Sequence, residues 1–187
     1  VSPVSLITPT LIVVTGRPGS GKTTLAHQLA RAIRCPALCR DEFKEGFINT
    51  IGSLDNPEHD VALDVYLAFF ETIKLMLDHR ITLIAEAAFQ HKRWAPQLEA
   101  LKAIANIRIV VCGVDGEVAH RRQIDRARVD PIRGRFHEDP VVWAARQARE
   151  LPIETYDPPK LDVPILDVDT TDGYRPDLEA MVPWALS

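Results

Sequence analysis

The chain of 187 residues is poor in several things that would assign it quickly. It holds only three cysteines, Cys35, Cys39 and Cys112, an odd number at spacings that fit neither a zinc ribbon nor a CxxC redox pair, so they read as reduced thiols. No apolar run approaches the roughly 18 residues of a membrane helix, and the first ten residues lack the charged start and small-residue cleavage site of a secretory signal. A cytoplasmic protein without a membrane partner is expected. Aromatic residues make up 6% of the chain, with three scattered tryptophans, Trp94, Trp143 and Trp184, which read as packing residues and not as a base-stacking platform. The six histidines show no HExxH or similar ligand spacing, and each reads as a helix-face or loop residue. There is no NKxD guanine-reading motif, no LSGGQ-like signature, no internal repeat and no low-complexity segment.

Positive charge is also scarce overall, with a formal net charge of -4, which argues against bulk attraction to nucleic acid. Its distribution is uneven. From His120 to Arg135 there are six arginines and two aspartates, whereas Glu154 to Ser187 holds eight acids and two basic residues. The chain has ample apolar material, at 46% hydrophobic residues, for the core of one domain spanning 1–187.

What is there alternates. Leu11 to Thr15 reads as a strand, and from Lys22 the residues Leu25, Ala26, Leu29, Ala30 and Ile33 recur along one helix face. Pro36 to Cys39 reads as a short buried strand running into Arg40-Asp41-Glu42. Asn56-Pro57-Glu58 predicts a helix start, with Asn56 as N-cap, for a mostly buried helix to about His79. A central strand from Ile81 ends at Glu86, followed by a helix over about 93–105 and a strand from Ile107 to Cys112. Asp115 can cap a helix carrying the arginines, broken near Asp130-Pro131, and a further helix is expected over about 139–150. Leu151 to Lys160 reads as a loop, Val163 to Val168 as the last strand, and Pro176 to Ala185 as a closing helix. Repeated βα units predict an α/β fold with a parallel sheet flanked by helices.

Gly16-Arg17-Pro18-Gly19-Ser20-Gly21-Lys22-Thr23 fits the phosphate-loop pattern G-x-x-x-x-G-K-[ST] between the strand and helix that the motif requires. Its glycines let successive N–H groups turn toward phosphate oxygens, and the following helix adds its positive N-terminal end. Lys22 would bridge the β- and γ-phosphates, Thr23 would place its hydroxyl on Mg²⁺, and Thr24 would complete the nucleotide-binding stretch.

Three other groups of residues have places around that loop. Asp41 ends the second strand, where a carboxylate can take the proton of an attacking hydroxyl; it can equally cap the helix that follows. Glu86 could orient magnesium-bound water or contact the acceptor, or be a surface glutamate at a strand end. The arginine island suggests a lid over about 115–138 that neutralises the transferring group and excludes water, with Arg122 and Arg126 four apart on one helix face. The alternatives are a solvated face paired with Asp125 and Asp130, or a grip on a phosphorylated or nucleic-acid acceptor.

The phosphate loop, Cys39-Arg40-Asp41-Glu42-Phe43-Lys44, the strand ending at Glu86 and the arginines around Arg122 and Arg126 together resemble the P-loop kinases that include polynucleotide kinase, chloramphenicol phosphotransferase, gluconate kinase and zeta toxins. The order of these parts covers nearly the whole chain. The resemblance implies five parallel strands in the order 2-3-1-4-5, ATP as donor, Asp41 as general base, Arg126 as the lid arginine, and Asp169, Thr170 and Thr171 near the adenine. Lys44 stands where polynucleotide kinases are expected to carry an arginine gripping the acceptor phosphate, and a lysine gives up bidentate geometry. Ala87-Ala88 likewise replaces that family's polar pair after Glu86. The expectation is therefore an ATP- and Mg²⁺-dependent kinase acting on a small-molecule hydroxyl, with Asp41, Lys44 and Glu86 facing the acceptor. The competing expectations are a polynucleotide 5′-hydroxyl kinase and a regulatory ATPase with no acceptor. The acceptor pocket is expected from residues 44–64 and 90–96.

Overall fold

Period-two alternation in the first strand decides which layer lies on which side. In β1 (Thr10–Gly16) Leu11 and Val13 face one way and Ile12 and Val14 the other, all four fully buried, as a strand covered on both faces requires. The computed structural model describes residues 8–137 and 156–187. Leu11 and Val13 pack with Phe69, Ile73 and Leu77 of α3 (Val61–Asp78) and with Trp94 and Leu98 of α4 (His91–Leu101). Ile12 and Val14 pack with Leu25 and Leu29 of α1 (Lys22–Ile33) and with Met181 and Ala185 of the last helix, α6 (Leu178–Leu186).

The sheet holds β1 with β2 (Ala37–Cys39), β3 (Leu83–Glu86), β4 (Asn106–Gly113) and β5 (Ile165–Asp169). All pairings are parallel and the order is β2-β3-β1-β4-β5, as the resemblance implied. Register brings the strand ends into one row: Cys39 pairs with Glu86, Glu86 with Val14, Gly16 with Cys112, and Gly113 with Asp169. Every residue singled out for chemistry up to Glu86 thus sits at or just beyond the carboxyl ends of the strands, where open α/β sheets bind ligands.

Two helix starts differ from the sequence reading. The segment Asn56-Pro57-Glu58 does not open α3. Asn56 instead accepts from the Glu58 amide at 3.0 Å and closes a local turn, and the helix begins at Val61 with Asp60 as its cap, accepting from Leu63 N at 3.1 Å. Asp41 is not a cap either: α2 (Arg40–Ile51) begins two residues earlier than that reading requires, with Cys39 in the N-cap position and Asp41 inside the first turn. Nor is α3 mostly buried, since Leu63, Leu67 and Leu75 are 47%, 46% and 58% exposed on the face turned away from the sheet. The cap at Asp115 is present and opens α5 (Gly116–Val129), which gives way to a 3-10 turn over Pro131–Arg135 as the Asp130-Pro131 break predicts. The helix expected over 139–150 lies outside the described residues. Among the described residues no helix is long and apolar enough to cross a membrane.

Candidate active site

The loop between β1 and α1 is shaped by glycines that nothing else could replace. Gly19 and Gly21 both lie at positive φ, +83° and +76°. A Cβ on Gly19 would overlap the carbonyl of Ala119 in α5, and one on Gly16 would come within 2.7 Å of the carbonyl of Cys112. The loop is drawn tight against its surroundings by backbone groups. Ser20 N donates to Arg17 O at 3.1 Å, Leu25 N to Gly21 O at 3.1 Å, and Gly21 stands at the N-cap of α1 with no side chain over the helix end. An exposed ring of helical N–H groups at that end is what an anion requires. The Ser20 hydroxyl is buried without a hydrogen-bond partner among the described residues, inside the curve of the loop.

Lys22 and Thr23 converge on Glu86. The Lys22 ammonium lies 3.7 Å from one carboxylate oxygen and the Thr23 hydroxyl donates to the other at 3.0 Å. Glu86 is 2% exposed, so it is not the surface glutamate that remained an alternative. Burial pushes its carboxyl above the usual carboxylate range; Lys22 opposes this, the nearby Asp41 adds to it, and the hydrogen bonds from Thr23 and Cys39 pull it back down. A hydroxyl and a carboxylate side by side next to the phosphate loop are the oxygen donors that Mg²⁺ takes when it is also held by phosphates. Thr24 is exposed on the outer side of the same helix turn.

On the far side of the loop the ties come from residues distant in the chain. Thr170 is buried, its hydroxyl 2.7 Å from Ser20 O and 3.0 Å from Gly113 O, and its amide donates to Gly113 O at 2.9 Å. Arg122 donates from Nη2 to the carbonyls of Thr170 and Thr171 at 2.9 and 2.8 Å. Gln123 donates to Pro18 O at 3.0 Å. The structure therefore places Arg122 on the segment after β5, while Arg126, one turn further along, is exposed. Asp169 accepts from the Thr171 amide at 2.8 Å, which folds this segment back on itself.

On the other side stands α2. Its first turn carries Arg40 and Asp41 past the end of β2, with Lys44 opening the second, and a cleft of about 610 Å³ lies beside them, lined by Arg40, Lys44, Leu54, His59, Asp60 and Val61 among others. The first segment expected to form the acceptor pocket, 44–64, lines this cleft; residues 90–96 do not, with Trp94 and Ala95 buried and Lys92, Arg93 and Pro96 exposed on α4 outside it. Arg40, which the sequence places in the charged stretch after the second strand, was given no role of its own there. Its guanidinium lies 5.7 Å from the Trp94 ring centre, its Nε has no hydrogen-bond partner among the described residues, and burial lowers its pKa, with Asp41 opposing and Arg93 reinforcing that shift. Tyr156 was missed as well. Its hydroxyl meets that of Thr15 under the phosphate loop, Thr15 also accepts from Phe89 N at 3.0 Å, and burial pushes the phenol well up. Trp94 packs against Phe89 and Phe70 and is 4% exposed, which makes it a packing residue as expected.

No curated protein matches the chain in sequence. Among solved structures it is similar to a provisionally named kinase of Chloroflexus aurantiacus j-10-fl, with 28% identity, a TM-score of 0.81, and 96% of this chain and 98% of that one covered. A sugar kinase of Janibacter sp. HTCC2649 shares the fold at 19% identity and a TM-score of 0.58, over 96% of this chain and 93% of that one. A chain of the Pnkp1/Rnl/Hen1 RNA repair complex does so at 20% identity and 0.58, over 70% of this chain and 41% of that one. Residues 11–152, from the first strand through the phosphate loop and α5, match the model of the AAA domain family, and the chain belongs to that family of P-loop nucleotide-binding domains.

Proposed function

We propose that the chain is a kinase that transfers the γ-phosphoryl group of ATP to a hydroxyl of a small-molecule acceptor, with Mg²⁺. One observation carries the reading beyond nucleotide binding: a second carboxylate, Asp41, stands near enough to Glu86 to raise its pKa, and directly follows Arg40, which lines a cleft. A domain that only hydrolysed ATP would also use a base there, to orient water, but would have no need of a cleft lined by Arg40 and Lys44 beside it.

In this reading the loop amides of residues 16–21 and the α1 N-terminus hold the phosphates, and Lys22 stands at the β- and γ-oxygens. Thr23 and Glu86 hold Mg²⁺, which when bound neutralises charge on the phosphates. Asp41 accepts the proton of the acceptor hydroxyl as its oxygen attacks the γ-phosphorus; the bond from that phosphorus to the β–γ bridging oxygen breaks as the new O–P bond forms, and the bridging oxygen leaves with ADP. Arg126 reaches the transferring group, while Arg122, bound to the 170–171 carbonyls, orders the segment beside the adenine. Arg40 and Lys44 in the cleft suit an acceptor that carries a carboxylate or phosphate as well as the hydroxyl, which favours sugar acids, hydroxy acids and phosphorylated nucleosides.

The test is transfer of label from γ-labelled ATP with Mg²⁺ to a panel of sugar acids, neutral sugars, hydroxy acids, nucleosides, hydroxylated antibiotics and 5′-hydroxyl oligonucleotides, with Lys22→Ala as the blank. Label on an acidic small molecule is expected. Label on the oligonucleotides alone would replace the small-molecule reading with a polynucleotide kinase. Phosphate release with no labelled acceptor from a panel broadened to all these classes would favour the regulatory ATPase.

A further inference from the structure

Next to this site, but not part of it, three donors of different chemistry come together from three elements. His27 projects from α1, Cys39 ends β2 and Glu42 lies in the first turn of α2. His27 Nε2 is 2.7 Å from Glu42 Oε1 and 3.5 Å from Cys39 Sγ, and all three ligand atoms lie within 4.8 Å of one another. Cys39 is the buried floor of the group, while the side chains of His27 and Glu42 are 43% and 52% exposed, so the group opens to solvent on one side.

The geometry separates two uses for such a trio. In a nucleophilic relay the thiol meets one ring nitrogen and the carboxylate the other, because the proton passes through the ring. Here both contacts fall on Nε2. Nε2 can donate to the carboxylate or accept from the thiol but not both at once, and three ligand atoms crowded about one point are instead the arrangement of ligands about a cation. With Zn–S near 2.3 Å and Zn–N near 2.0 Å, the N···S edge of a zinc tetrahedron is about 3.5 Å, the spacing already present. The exposed Glu42 carboxylate needs to draw back only about half an ångström to match the corresponding N···O edge. The negative field of Glu86 and Asp41, felt at Cys39, adds attraction for a cation.

We propose that His27, Cys39 and Glu42 form a zinc-binding site, with water as the fourth ligand, that joins the phosphate-loop helix to the helix carrying Asp41. Binding replaces the S–H bond of Cys39 by an S–Zn bond and releases one proton to solvent; His27 enters as neutral imidazole and Glu42 as carboxylate. The sulfur and nitrogen donors reject Mg²⁺, which takes oxygen ligands, so the two cations do not compete for one place. Zinc would also remove the hydrogen bond that the Cys39 thiol gives Glu86. The proposal does not depend on the phosphotransfer reading.

Co²⁺ serves as the probe, titrated into the nucleotide-free chain in excess Mg²⁺. The expected result is one equivalent bound, with the visible bands of tetrahedral cobalt and a thiolate-to-cobalt charge-transfer band, all displaced by Zn²⁺. Cys39→Ser removes the charge-transfer band and Cys35→Ser leaves it. His27→Ala and Glu42→Gln each weaken Co²⁺ binding by at least the roughly tenfold that an outer-sphere partner already costs. Absence of a thiolate band, its loss with Cys35→Ser, or unchanged affinity in both His27→Ala and Glu42→Gln would overturn the proposal. Both of those side chains are exposed, so their variants decide the matter even if Cys39→Ser fails to fold.

Discussion

The two sides of the candidate active site are built on different principles. On the donor side the phosphate loop is held by short backbone hydrogen bonds and by three side chains from far away in the chain, Thr170, Gln123 and Tyr156, which grip its carbonyls or the strand beneath it. On the acceptor side a cleft of about 610 Å³ is lined by charged side chains from α2 and from the 54–62 segment, and Arg40 keeps a buried donor without a partner. Each half keeps one buried polar atom without a partner among the described residues, Ser20 Oγ in the loop and Arg40 Nε beside the cleft, but the loop offers chiefly backbone amides and the cleft chiefly side chains. Phosphates are the same in every reaction of this fold and are met by backbone, whereas the acceptor differs and must be met by side chains.

The sharpest way to break that division is to remove one group from each side. Asp41→Asn is expected to lower kcat by roughly 10²–10⁴-fold, the usual worth of a general base, while calorimetry finds ATP affinity unchanged. Lys22→Ala is expected to cost roughly 10²–10³-fold in transfer and to weaken ATP binding as well. Loss of ATP affinity in Asp41→Asn would mean that the aspartate belongs to the donor side, and the contrast would collapse.

Next in size are the two arginines, which the contrast places on different duties. Arg126→Ala should lower kcat by roughly 10²-fold with little change in ATP affinity. Arg122→Ala should raise the ATP dissociation constant by about tenfold, the worth of a charged hydrogen bond, and leave kcat largely intact. The opposite pattern in steady-state kinetics would exchange their roles.

The smallest effect concerns stability. Burial holds the Glu86 carboxyl above its ordinary range, so the folded chain binds this proton more tightly than the unfolded chain. Its contribution to stability therefore falls as pH rises from the ordinary carboxylate value through the raised one. Glu86→Gln, which is buried without ionising, is expected to stabilise the ligand-free chain modestly at neutral pH and to flatten that decline, read from urea midpoints against pH. A lower midpoint throughout would show that pairing with Lys22 and Thr23 outweighs the burial.

The donor side was legible in the sequence because its signals are local. Glycines at 16, 19 and 21, the lysine and the threonine lie within eight residues, and a cap such as Asp115 acts on amides two and three residues away. Where local signals misled, two candidates competed within a few residues: Asn56 against Asp60 for the start of α3, Asp41 against Cys39 for the start of α2. The turn at Asn56 satisfied its own amides, and the strand-to-helix junction left no room for Asp41 to stand outside the helix. The exposed row at Leu63, Leu67 and Leu75 could not be read from hydrophobicity, which does not say whether a neighbouring element covers a face. Contacts such as Thr170 with Ser20, or His27 with Cys39 and Glu42, join elements whose meeting depends on the strand order, and no spacing in the chain announces them.

The contact of Gly19 with Ala119 has a mechanical side. The first two turns of α5 are pressed on the phosphate loop there and pinned by Gln123 to Pro18 and by Arg122 to the 170–171 carbonyls, while Asp125, Arg126 and Arg128 beyond them are exposed. A helix clamped over that length can carry Arg126 toward a nucleotide only by bending beyond Gln123, which would spare the cradle under the phosphates.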